Sequence, residues 1–187
     1  MASAPLFIAS TSRVAARLAR LRLHAKGDWE TTYIDPVSRE QWIAYPLWDY
    51  HGPGPTGLRR GSPLPEEVIA RIAETEFADE AAAAAYYLAH EVPQGYEHFE
   101  SLVERLELKS RTLGSVVDQR NIALAIAWSG IEKAFNHRST IGKQAAEVEE
   151  DAQYFAGLAE RVRVLASRAE RLVGRATTND PAVFRDG

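Results

Sequence analysis

Between Ile141 and Ala176 the chain places apolar or small residues at Val148, Ala152, Phe155, Ala159, Val162, Ala166, Ala169, Val173 and Ala176, in alternating steps of four and three. A second row, Leu158, Leu165 and Leu172, flanks the first. Steps of three and four stack side chains on one face of an α-helix, so a pattern held over about four heptads admits a long helix and excludes a strand. Alanine along the seam lets a partner helix come close. The nearest partner in sequence is Val116 to Phe135, where Val117, Leu124, Trp128, Ile131 and Phe135 form a stripe and Asn136-His137-Arg138-Ser139-Thr140 ends it. The expectation is a coiled-coil-like helical hairpin whose first arm is shorter by about two turns or more. The surplus seam is then available to the rest of the chain or to a second copy, as a homodimer through the C-terminal helix.

Two more helices precede this pair. Asp79 to His90 has strong helix formers and two acids in its first turn, which favour the helix dipole; Pro93-Gln94-Gly95 stops it. Tyr96 to Leu108 carries Phe99, Leu102, Val103 and Leu106 at helical spacing. Adjacent side chains on a helix diverge, so only part of Tyr86-Tyr87 is expected in the core.

Gly27 to Gly61 has a different texture and holds Trp29, Trp42 and Trp48. Trp29 to Ile34 and Gln41 to Tyr45 are rich in aromatic and β-branched residues. Between them, Asp35-Pro36-Val37-Ser38-Arg39 has turn chemistry: Pro fixes φ, and Asp and Ser bond nearby backbone groups. The two runs predict a hairpin. His51-Gly52-Pro53-Gly54-Pro55 follows, a loop stiffened by Pro and opened by Gly. Beside Trp48, Tyr50 and His51 it predicts a shaped recognition surface rather than a flexible linker. The chain therefore reads as α+β, with an α+β unit over 1–78 and a mostly helical extension over 79–187.

Trp29-Glu30-Thr31-Thr32-Tyr33, Asp35-Pro36, Trp42, Tyr45-Pro46, His51-Gly52 and Gly54-Pro55, in this order, resemble the bacterial immunity protein 27 family. The resemblance covers about the first 80 residues and departs at Thr32, where the family pattern has Leu, and at Pro53, within what is usually a glycine run. It implies a helix before the hairpin, roughly Thr11 to Lys26, then after it a short strand and a helix, roughly Pro65 to Phe77. It also implies a role, the neutralisation of a polymorphic toxin carried by the same cell or its kin.

Composition narrows the chemistry. Of 187 residues, 45% are hydrophobic, enough for a real core, and none is Cys, which removes disulfides, thiolate metal sites and cysteine catalysis. No apolar run approaches the roughly 20 residues of a membrane span. The net charge of -4 is unevenly spread: residues 1–27 carry five bases and no acid, and residues 62–112 carry eleven acids against four bases. The basic N-terminal stretch, with its Ser and Ala, has the composition of an organellar transit peptide. Val14, Leu18 and Leu21 at helical spacing, behind Ser10, Thr11 and Ser12 as caps, favour a folded first helix. Sequence motifs for nucleotide binding, zinc hydrolysis and the nucleophile elbow are missing. Basic and aromatic residues are not interleaved on one face, so nucleic acid is not an expected partner.

His51, beside Asp49 and Tyr50, has no second His at ligand spacing, so a structural loop histidine is expected over a general base or metal ligand. His90, Glu91 and His98 approach one another across Pro93 in principle, yet helix-surface polar residues need no metal. Arg59-Arg60 is either an anion grip or a solvated strand edge. The expected function is a cytoplasmic, non-enzymatic immunity protein that covers a toxin's active site, with no cofactor, metal or membrane partner. Trp48, Tyr50, His51, Arg59 and Arg60 are its expected contacts, and Glu97, Glu100 and Glu104 steer it to a basic toxin such as a nuclease. The alternative is a helical scaffold or oligomerisation protein with no toxin partner.

Overall fold

The computed structural model describes residues 4–47, 55–112, 115–133 and 136–173. It is α+β, as expected. An antiparallel sheet is built from β1 (Phe7–Ile8), β2 (Arg22–Lys26), β3 (Thr31–Ile34), β4 (Gln41–Pro46) and β5 (Thr56–Arg60), in the order β1-β5-β4-β3-β2. The helices are α1 (Thr11–Leu18), α2 (Pro65–Glu74), α3 (Ala78–His90), α4 (Phe99–Thr112), α5 (Val116–Ser129) and α6 (Ala145–Val173). One sheet face packs on α1 through Ile8, Val14, Trp42, Ala44 and Leu58. From the other face, Phe7, Tyr45 and Leu47 join a core shared with α2 to α6. The compositional break at 78 thus coincides with the start of α3, and side chains from both sides of it share one core.

The hairpin forms as its turn chemistry predicts. Asp35 Oδ1 accepts from the amides of Val37 (2.9 Å) and Ser38 (3.1 Å), and Arg39 takes the left-handed region at φ 65°. These two amide bonds are the main cause holding the Asp35 carboxyl below its usual value.

The expected first helix is corrected. It ends at Leu18, and Arg22–Lys26 is a strand paired with β3. Leu21, Leu23 and Ala25 alternate with Arg22, His24 and Lys26. This period of two is that of a strand, while Leu18, Leu21 and Ala25 also keep helical steps of three and four, and Gly27 closes the β2–β3 turn through its amide to the Glu30 carbonyl (2.9 Å).

α3 and α5 lie in the middle and are buried on every side over residues 79–88 and 121–129. Ala81 to Ala85 are 0% exposed, because a run of methyl groups lets neighbours approach from all directions. For that reason Tyr86 and Tyr87 are both buried, against the expectation that one faces out. α5 ends at Ser129, where Gly130 turns left-handed (φ 66°), and does not run to residue 135.

α6 buries the predicted face: Phe155, Leu158, Ala159, Val162, Leu165 and Ala169 are all interior. That face is not confined to a two-helix coiled coil. α6 folds back on α5 and also packs on α4, where Arg161 donates to Glu107 (2.9 and 3.1 Å) and Tyr154 to Glu100 (3.3 Å).

Candidate binding surface

The predicted contacts Trp48, Tyr50 and His51 lie outside the described residues. Their stems are described. Leu47 donates its amide to the Pro55 carbonyl (2.9 Å), and Tyr45 and Pro46 pair with Gly57 and Thr56. A side chain at Gly57 would bring its Cβ within 3.2 Å of the Tyr45 ring, so glycine lets the Tyr45 ring close over β5. The same end of the sheet holds the β2–β3 turn, since Thr31 pairs with both Ala44 and Lys26. Trp29 in that turn is 70% exposed.

β5 lies between β1 and β4, so Arg59-Arg60 is not a solvated edge. Strand alternation sends the two arginines to opposite faces. Arg59, 8% exposed, donates to Glu30 (2.8 Å) and the Gly61 carbonyl and stands over the Tyr87 ring. Arg60 donates to Glu40 (3.1 Å). Both are engaged within the fold.

Much of the acidic stripe faces its own chain. Glu97 is held by Arg138 through two bonds (3.0 and 2.9 Å), and Arg138 also reaches Asp151 (2.8 Å). These bonds push the Glu97 carboxyl below its ordinary value and the guanidinium above it. Glu100 accepts from Tyr154, and Glu104 is exposed. Among the described residues, no group of three His, Asp or Glu could hold a metal ion. His90 lies against Tyr86 at 4.6 Å, and His137 against Phe155 at 5.0 Å. Burial is the first cause lowering both histidines from their ordinary value.

Three features were not foreseen. First, two acids of the α3 first turn are interior and fasten the N-terminal segment. Glu80 accepts from the amides of Leu6 (2.7 Å) and Phe7 (3.2 Å) and the Thr75 hydroxyl (2.6 Å). Asp79 accepts from the amides of Ala9 (3.0 Å) and Ser10 (2.9 Å) and from Arg13, whose guanidinium lies 4.0 Å from the Phe77 ring centre. Second, a cleft of about 370 Å³ lies between α4 and α6, lined by Arg111, Arg161, Arg168 and Arg171 around Leu165. Third, β2 is an edge strand, uncovered among the described residues and exposed at all five of its positions. Only the last had a signal in the sequence, the two-residue alternation of Leu21 to Lys26.

Comparison with protein-family models, with curated proteins and with solved structures found no match in any of the three.

Proposed function

We propose that this chain is a non-catalytic immunity protein that binds a toxin protein in the cytoplasm and covers its active site. The observation that carries the reading is the exposed Trp29 at the sheet end from which the Leu47 and Pro55 stems emerge. The residues of the resemblance run through this hairpin, and large aromatics bury much area at small entropic cost, which makes them the usual energetic anchors of interfaces. Expression of the chain together with the toxin encoded beside it should restore growth. Continued killing, with the protein folded and abundant, would sink the proposal.

The scaffold alternative draws on the length of α6. Its described apolar seam is already buried within the chain, so self-association would have to use a more polar outer face. Light scattering at micromolar concentration distinguishes the two, because a strict monomer removes the scaffold.

A further inference from the structure

We infer that β2 is a docking edge, which recruits an extended, acidic segment of a partner protein as a further strand of the sheet. The inference rests on the binding role proposed above, though not on the partner being a toxin.

The two edges of the sheet are unlike. β1 is two residues long, and amides in and beside it are taken by Glu80 and Asp79. Among the described residues β2 pairs with β3 alone, and its five residues are exposed. An unpaired edge is a ready template for another strand: the main-chain ladder supplies affinity and the side chains select the partner. At about 3.3 Å per residue the edge is about 17 Å long, the length of an ordinary strand.

Charge selects the occupant. Arg20, Arg22, His24 and Lys26 lie on or just before β2, and no acid precedes Asp28. Neither Arg22 nor Lys26 makes an ion pair among the described residues. A second copy pairing antiparallel through β2 would set these bases against each other, and like charges directly opposite are destabilising. A strand bearing Asp or Glu at the same positions reverses the sign of each contact. The ladder is irregular only between Leu23 and Ala25, a bulge at His24 that bends the edge away from flat stacking. Leu23, across from Tyr33, is 62% exposed, and Trp29 stands beyond the other end, so each end of the edge offers apolar area to bury.

The test titrates isotope-labelled full-length protein with a short peptide alternating Glu and Val, and with its Lys-Val counterpart, at millimolar concentration. The expected result is slowed amide exchange confined to residues 22–26 with the acidic peptide, abolished by high salt and missing with the basic one. The double variant Arg22→Glu with Lys26→Glu changes exposed side chains, should keep its circular dichroism, and should bind the acidic peptide about tenfold more weakly. Protection by neither peptide, equal protection by both, protection elsewhere, or a β2-mediated dimer without peptide overturns the inference. The adjacent toxin separates the two proposals. If wild type and double variant neutralise it equally and the acidic peptide leaves residues 22–26 unprotected, the docking edge is wrong and the immunity role stands. If wild type fails to neutralise while the acidic peptide protects β2, the edge stands and the immunity role falls.

Discussion

Glu80→Ala should be among the most damaging single substitutions in this fold. Its carboxylate is 1% exposed and accepts from two backbone amides and one hydroxyl. It also lies 3.6 Å from Arg71. Truncation leaves the Leu6 and Phe7 amides buried without an acceptor, at about 1–3 kcal/mol each. The Thr75 hydroxyl and Arg71 are less exacting, since one rotates and the other swings toward solvent. The total is about 4 kcal/mol, a large share of the roughly 5–15 kcal/mol of a typical domain. Glu80→Gln is the control. It keeps one oxygen for the amides and turns an amino group to Thr75, whose hydroxyl rotates to accept, so the cost falls to about 1–2 kcal/mol. Urea unfolding measures both variants, and native-state hydrogen exchange reads the Leu6 and Phe7 amides directly. The reasoning fails if Glu80→Ala stays within about 1 kcal/mol of wild type, if those amides remain protected, or if Gln costs as much as Ala.

Two glycines make an opposed pair. A Cβ at Gly95 would lie 1.8 Å from the Leu88 carbonyl oxygen, so Gly95→Ala must displace the turn between α3 and α4 and should cost several kcal/mol, whereas Gly157, in mid-helix with open space around it, should gain about 0.5–1 kcal/mol as Ala; equal midpoints in urea would refute both. His90 and His137 are held below their ordinary value of 6.5, so the unfolded chain takes up protons first. Stability should be full above that pH and fall as pH drops through it, with a shallower slope in His137→Gln, although Glu91, raised by burial, acts in the opposite sense; identical slopes in the two proteins would exclude His137 as a source. Trp29→Ala should keep the fold and weaken toxin binding by about 2 kcal/mol or more, measured by calorimetry, and unchanged affinity removes this sheet end from the contact surface.

Elements that announce themselves locally were legible in the sequence. The α6 face followed from spacing alone, and the Asp35 turn followed from residues that bond their own backbone. Two other features depend on tertiary context. The pattern from Leu21 to Lys26 fits two periods, and only pairing with β3 decides between them. Tyr86 and Tyr87 diverge on a helix with one buried face, but the alanine run of α3 gives that helix contacts on all sides. Of the predicted site residues, Arg59 and Arg60 were read as an anion grip or a solvated strand edge; β5 is an interior strand, and the chain itself supplies their anions, Glu30 and Glu40. Nothing local marks Glu30 as a partner 29 residues away.

The charge map shows why segment totals mislead. Residues 62–112 carry eleven acids against four bases, which suggested an acidic surface. Folding spends several of those acids internally: Asp79 and Glu80 are interior, Glu97 and Glu107 bind Arg138 and Arg161, Glu74 faces Arg105, and Glu67 caps the Leu64 amide. In the basic N-terminal stretch, Arg13 and Arg17 are likewise consumed, by Asp79 and Asp35. Arg22 and Lys26 make no ion pair among the described residues, and they lie on the open edge of the sheet. Charges within about a Debye length, roughly 8–10 Å, decide what a nearby partner feels, and distant ones are screened. A strand approaching β2 therefore meets a basic edge on a protein whose formal net charge is -4. Local field and net charge have opposite signs, and for a contact as small as one strand the local field decides.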